Sequence, residues 1–481
     1  MLVRNHVVRL FVAITLAIPL LAAAPARAVV VQRPVNVTND PYAENEETLG
    51  MDPTGTLLAS AWNDWNYNDG CGFSFSTTGG ATWAPKTFVP GLTAFTNDPD
   101  VPGTGPYAVA GDPSVAFNPK FGVFDVVCQA FGGTSSAISL LATTFDQSKA
   151  NPAADENESY GAAAWTAPVA VSTGKSNGAQ KGHNGQFPDH ESITVDTATG
   201  SGHHFGRLYV SWAMFNGNGR SPINVAFSDD DGHSWKGPFV VSDKAHTTNQ
   251  DARLVIAPDG TLYMTFLGGP NEKSLKDNFV AVAKSTNGRT WSATHEVAPI
   301  VVPTPGLLPN SSYRVFADVT SSVDLATGRL VMAFTDQRSG ASQVYVVRQR
   351  RPGRLSRWSS PKRVKPSSRE QFFPWMSAAP NGRLDLVFYD RSCDPRDTLD
   401  CVTLASSSDA GVSWRTTSVL ARGFDGDRFD ACLAFVQPID CGRKFLGDYI
   451  GVASTNAKAV SVFTGNGPAS LDVFSVTASS P

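Results

Sequence analysis

The chain is short of charge and of long apolar runs, and each shortage excludes something. Charged residues make up 17%, below the roughly one quarter typical of soluble domains, which argues against long solvated helices. No Lys/Arg-rich arm is present and the formal net charge is −4, so no basic field marks a nucleic-acid partner. The densest basic stretch, residues 348–357, alternates with apolar residues and reads as one hairpin. Beyond the first residues nothing is apolar over the ~20 positions a membrane span needs. Long Pro/Gly/Ser linkers and low-complexity runs are also missing, so no second domain is expected.

What the chain has is glycine (42), proline (32) and short alternating apolar segments, the composition of strands joined by many turns. Its start is a separate matter. Arg4, His6 and Arg9 precede an apolar run over residues 10–21, followed by Ala26-Arg27-Ala28, a small-x-small cleavage signal. Residues 1–28 therefore read as a secretory signal peptide and 29–481 as a single mature domain. Losing Arg4, Arg9 and Arg27 makes the mature chain more acidic. The chain ends Thr477-Ala478-Ser479-Ser480-Pro481 with no hydrophobic tail, so release rather than anchoring is expected. A monomer is expected.

Six cysteines remain in a chain bound for an oxidising compartment. Fifteen pairings exist in principle. Sequence proximity suggests Cys393 with Cys401 and Cys432 with Cys441, leaving Cys71 with Cys128; free buried thiols are the other reading. No cysteine pair has the spacing of a zinc site.

An eight-residue pattern, Ser-x-Asp-x-Gly-x-Ser/Thr-Trp, recurs. Ser228 to Trp235 and Ser407 to Trp414 match it fully. Ser76 to Trp83 has Thr78 in place of Asp, and Ser285 to Trp291 is one residue short. Trp165 and Trp358 mark two eroded copies, each followed by Pro and a short apolar strand. The pattern is turn chemistry. Ser and Asp side chains accept backbone N–H bonds across a tight hairpin, and Gly supplies a positive φ. Around it runs a four-strand unit. In one copy the strands fall at 191–196, 206–212, 223–228 and 239–242. The second strand recurs at 57–62, 262–266, 330–334 and 384–388, each after a Gly-containing turn. Such a repeat means an all-β propeller of four-stranded blades. Six Trp markers give six blades. Residues 446–454, 459–463 and 471–476 supply three further strands, and residues 33–37 supply their fourth. Seven blades closed by the N-terminal strand are thus expected, with six as the alternative.

These octapeptides resemble the Asp boxes, or bacterial-neuraminidase repeats, of the sialidase superfamily. The resemblance covers nearly all of the mature chain. Segments such as Gln371-Phe372-Phe373-Pro374-Trp375, Phe388-Tyr389-Asp390-Arg391 and Gly447-Asp448-Tyr449-Ile450-Gly451 are similar to those of many secreted bacterial Asp-box proteins. It implies a glycoside hydrolase fold acting on extracellular glycan or glycoprotein. The superfamily's sialidases use an arginine triad, a Tyr nucleophile with a Glu partner, an Asp acid/base and an Arg-Ile-Pro motif near the start. Here the corresponding stretch, 44–49, is acidic and holds no Arg.

In a propeller the octapeptide turns lie on one face, and the loops between blades lie on the other. That second face collects Trp62, Asp64, Trp65 and Tyr67, then Asp112, His183, Asp189, His190 and Glu191. Asp251, Arg253, Tyr313, Arg314, Asp318, Trp375, Asp448 and Tyr449 follow, with Asp336-Gln337-Arg338 and Asp390-Arg391 at second-strand ends. Asp189, Glu191 and Asp251 offer a carboxylate pair for acid/base work, which needs about 5–9.5 Å between groups. Tyr449 is a nucleophile if a carboxylate takes its proton. Arg253, Arg314, Asp318, Trp375 and Asp448 suit sugar binding, the two arginines an anionic sugar. Structural pairing across blades is the competing reading for each charged residue. No spacing supports His183 or His190 as metal ligands; Asp-rich loops suit Ca²⁺ without a motif behind them. Two functions stay open, a secreted glycoside hydrolase and a non-catalytic glycan- or protein-binding propeller.

Overall fold

The structure is a computed structural model. It describes residues 29–480 except 66–69, 95–102, 133–137, 154–158, 175–184, 270–277, 302–306, 317 and 432–443. The leader, Tyr67, His183, Cys432 and Cys441 lie outside the described residues.

Alternating apolar segments between glycine turns form seven separate four-stranded antiparallel sheets, so the chain is a seven-bladed propeller. The innermost strands are β2 (Glu44–Met51), β6 (Val109–Asn118), β10 (Gln186–Val195), β14 (Thr248–Ile256), β18 (Val319–Asp324), β22 (Gln371–Ala378) and β26 (Gly451–Ser454). Each leads outward through its blade in chain order; in the third blade β10 pairs with β11 (Leu208–Asn216), then β12 (Ile223–Ser228) and β13 (Lys236–Val240). The turn between first and second strands needs glycine. Gly382 sits at φ 88°, and a Cβ there would lie 2.7 Å from Ala326 Cβ and Asp324 Oδ1. Gly55, Gly206, Gly260 and Gly328 also have positive φ, between 68° and 82°.

The last blade closes the ring. Strand β28 (Leu471–Ser479) pairs on one side with β27 (Lys458–Asn466) and on the other with β1 (Val35–Asn36), from the other end of the chain. Closure leaves no open edge at the seam. Between adjacent blades the faces bury apolar side chains, such as Tyr209, Phe227, Leu254 and Phe266 between the third and fourth. Among the described residues no helix is long and apolar enough to cross a membrane.

The octapeptide turns show why their residue types recur. Ser228 Oγ accepts from Gly232 N (2.9 Å), and Asp230 accepts from Ser234 N (2.9 Å) and Ser234 Oγ (2.5 Å). Ser407 and Asp409 make the same bonds at the same lengths to Gly411 and Ser413. Where Thr78 replaces Asp, its hydroxyl still accepts from Thr82 N (2.8 Å); Asn287 serves Thr290 N likewise (3.0 Å).

Disulfides join Cys71 to Cys128, between the first two blades, and Cys393 to Cys401, within the sixth.

Candidate functional site

The inner strands are not regular where they begin. Five of them break register with the second strand: at Asn45/Thr48, Gly111/Ser114, Asp189/Ser192, Gln250/Arg253 and Phe372/Trp375. Each break holds a non-glycine residue in the left-handed region: Glu46 (60°), Asp112 (49°), His190 (57°), Asp251 (62°) and Phe373 (50°). A bulge of this kind bends the strand and re-aims its side chains. A left-handed conformation costs a side-chain-bearing residue about 1–2 kcal/mol. The same cost at the same place in five blades, all at one end of the axis, marks that end as the built one.

The bulges of the first four blades rim a cup of about 390 Å³. Glu46, Asp112, Asp189, His190, Arg314, Asp448 and Tyr449 line it, with Trp65, Phe316 and Phe445 as apolar wall. Asp112 is the hub of three carboxyl groups, the charge that acts most strongly on both Glu46 and Asp189. Asn63 clamps two of the bulges across the first two blades. Its Nδ2 donates to Glu46 Oε2 (2.6 Å) and its Oδ1 accepts from Asp112 N (2.7 Å). Burial, then the neighbouring Asp112, pushes the Asp189 carboxyl up to about 8. The same two causes, in the same order, raise Glu46 and Glu191 well above the usual carboxylate range. Glu191 stands behind this group with both carboxyl oxygens buried.

Arg314 reaches the cup on a loop whose Arg314 N donates to Lys444 O (3.0 Å). Its guanidinium holds Asp448 in a fork, Nε to Oδ1 at 3.1 Å and Nη2 to Oδ2 at 2.5 Å, and lies over the Phe445 ring at 4.2 Å. The floor is aromatic. Tyr449 packs between His190 (5.5 Å between ring centres) and Trp375 (6.1 Å), and Arg253 lies 4.4 Å from the Trp375 ring centre. Burial, then Asp112, Glu46 and Glu191, raises the Tyr449 phenol well above its ordinary value. Arg253 is paired with Asp251 (3.1 Å), and Asp251 also accepts from Val319 N. Asp318 accepts from Thr335 Oγ1 (2.9 Å). Below the floor an axial channel of about 600 Å³ runs between Thr48, Ser114, Ser192 and Thr320.

The structure thus brings Asp189, Arg314, Asp448 and Tyr449 into one cup with Glu191 behind them. It sets Asp251, Arg253, Asp318 and Trp375 deeper, at the floor. Both arginines expected to receive an anionic sugar are already ion-paired. Other residues expected on this face are structural. Trp62 is fully buried and bonds Asp64 (3.1 Å), and Asp64 pairs with the buried Lys86 (3.1 Å). Tyr313 bonds Asp400 and Arg391 in a buried network. Asp336 and Asp390 pair with Arg338 and Lys365. Sequence reasoning left out Glu46, whose segment stood out only for lacking Arg, and Asn63. Their signal was position, two acids and an amide at the start of the first blade. Among the described residues no three His, Cys, Asp or Glu side chains are placed to hold a metal ion.

Fold and cup together define a seven-bladed propeller with a carboxyl-rich, aromatic-floored depression on the axis. No family model matches the chain, and no curated protein matches it in sequence. Solved structures resemble it in fold. A protein of unknown function from Dyadobacter fermentans DSM 18053 aligns at TM-score 0.50 and 11% identity over 95% of this chain and 100% of its own. The Hadza microbial sialidase Hz136 aligns at 0.42 and 16% over 90% of this chain, which spans 65% of that one. The α-L-arabinofuranosidase Arb93A from Fusarium graminearum aligns at 0.46 and 12%, over 81% and 97%. At these identities the likeness concerns the fold alone.

Proposed function

We propose that the chain is a secreted glycoside hydrolase that cleaves an extracellular glycan in the axial cup. The observation that carries this reading is the placement of the Asp189 carboxyl, pushed up to about 8 by burial and Asp112, with Tyr449 in one cup walled by aromatic rings. A carboxyl still protonated at neutral pH is the general acid that glycosidic cleavage needs. In this reading Asp189 gives its proton to the departing glycosidic oxygen. The Tyr449 oxygen attacks the anomeric carbon as its proton passes to Glu191, whose raised basicity suits that task. The C–O bond to the leaving sugar breaks as the bond to tyrosine forms. Water then attacks, giving its proton to the Asp189 carboxylate, and the Tyr449 oxygen leaves with its electron pair and regains the proton from Glu191. Two displacements retain the anomeric configuration. The sugar held in the cup carries no carboxylate, since Arg314 and Arg253 are occupied by Asp448 and Asp251. The disulfides fit an oxidising compartment.

The test is hydrolysis of a panel of aryl glycosides, sialosides included, by the mature protein. Turnover of a carboxylate-free glycoside, with kcat reduced about 10²-fold or more in Asp189→Asn and Tyr449→Phe, is expected. No turnover across the panel, with glycan still bound, would leave a binding propeller instead.

A further inference from the structure

Charge is spread unevenly along this chain. Residues 337–369 hold ten lysines and arginines and not one aspartate or glutamate, although the formal net charge of the whole is −4. The densest part is the hairpin that joins β20 (Ala341–Arg348) to β21 (Lys362–Arg363) in the fifth blade. It stands where other blades carry the octapeptide turn, on the face opposite the cup. Backbone bonds set its shape. Arg350 N donates to Arg357 O (2.9 Å) and Arg354 N to Arg351 O (3.2 Å), around a Pro352-Gly353 turn with Gly353 at φ 73°. Leu355 and Trp358 pack against the core between the fourth and fifth blades, and Lys284 Nζ of the fourth blade donates to Gly353 O (3.0 Å). These ties set Arg350 opposite Arg357, and Arg351 and Arg354 on either side of the turn. All four residues are exposed. Among the described residues no carboxylate pairs with any of them. Arg207, Arg383 and Arg391, by contrast, are met by Asp229, Asp385 and Asp400. Like charges directly opposite on a hairpin repel, so the tip gains when an anion lies across it. Arg350 Nε donates to Trp358 O (2.9 Å), which holds that guanidinium in place and leaves its two terminal nitrogens unpaired. Guanidinium groups present planar forks of donors that match the edge of a carboxylate.

We propose that this hairpin binds an acidic polysaccharide, a linear polyuronate whose successive carboxylates lie across Arg350, Arg351, Arg354 and Arg357. The partner has to be thin. A nucleic-acid duplex or an anionic membrane is broad enough to meet the rest of this acidic chain as well, and is repelled there. A single polysaccharide chain touches the tip alone. The site lies on the other face of the ring from the cup and stands whether or not the cup hydrolyses a glycan.

Calorimetric titration of the mature protein with polygalacturonate and with its fully methyl-esterified counterpart, at about 0.1 M salt, tests this. The acid form is expected to bind about tenfold tighter or more, and to lose that advantage at about 1 M salt. Arg350→Gln, Arg351→Gln, Arg354→Gln and Arg357→Gln combined should weaken binding of the acid form about tenfold or more. The melting temperature of that variant should not fall, since the four side chains are exposed and repel one another. Arg33→Gln, Arg220→Gln, Arg415→Gln and Arg422→Gln combined make the same change in net charge at exposed positions elsewhere, and should leave binding as it is. Equal binding of acid and ester, an equal loss in both fourfold variants, or no binding of polygalacturonate would overturn the proposal. Tighter binding of duplex DNA or of phosphatidylglycerol vesicles through the same four arginines would also overturn it, and would give the hairpin to another class of partner.

Discussion

At the scale of single residues the cup is an exercise in desolvation. Glu46, Asp189 and Glu191 are buried beside one another, and burial is the largest cause of each raised carboxyl. Asp189, pushed up to about 8, holds its proton in the folded chain at a pH where the unfolded chain has released it. Folding takes up protons between about pH 4 and pH 8, so stability falls as pH rises through that window. Glu47 and Glu370, both raised to about 7 chiefly by burial, act in the same direction. Thermal unfolding is therefore expected at a higher temperature near pH 5 than near pH 8. Asp189→Asn should gain about 1 kcal/mol or more at pH 8 relative to pH 5 compared with the unaltered chain. An unchanged pH slope in the variant would show that Asp189 is not held protonated. Residue roles were only partly legible from sequence. Asp448 and Arg314 stand at strand starts, and that position alone pointed to the cup. Their mutual pairing was invisible, because a loop before the fifth blade meets one before the seventh, 134 residues apart.

At the scale of elements the four-strand unit was legible because its punctuation is chemical. Glycine turns and the octapeptide located the strands; residues 223–228 coincide with β12. The inner-strand bulges were not legible. Glycine usually marks a left-handed position, but here Glu46, Asp112, His190, Asp251 and Phe373 occupy it. The backbone at those sites is dictated by the blade stack and not by local preference. The imperfect octapeptides test the turn chemistry. Thr78 offers one hydroxyl oxygen where Asp230 and Asp409 offer two charged ones. Thr78→Asp should stabilise the chain by about 0.5–1 kcal/mol, and Asp409→Ala should cost about 1–2 kcal/mol. Denaturant melts of both variants check this. A destabilising Thr78→Asp would mean that the carboxylate is not what the turn selects.

At the scale of the whole molecule the ring is held shut by residues 35–40. Strand β1 completes the seventh blade, Val37 is buried there, and Asp40 pairs with the buried Lys86 at 2.7 Å, a contact to the first blade. Beginning the chain after Asp40 removes the strand, the buried valine and one partner of that lysine. A loss of about 3 kcal/mol or more is expected, seen as a lower unfolding midpoint, together with self-association through the exposed edge of β28. An unaltered midpoint would contradict closure by β1. The closed ring also sets the two ends of the axis apart. The octapeptides fix the other end as turns, and the bulged strand starts converge on the cup.

The most direct measurement is kcat/KM against pH for whichever glycoside the panel shows to be turned over, from pH 4 to pH 9, with Asp189→Asn beside the unaltered protein. The expected profile keeps its activity through neutrality and falls on the alkaline side near pH 8, as the Asp189 proton is lost. Asp189→Asn should lack that limb and retain little activity. A profile that falls already above pH 5, or a variant with full activity, would contradict the assignment of the cup's protonated carboxyl as the acid.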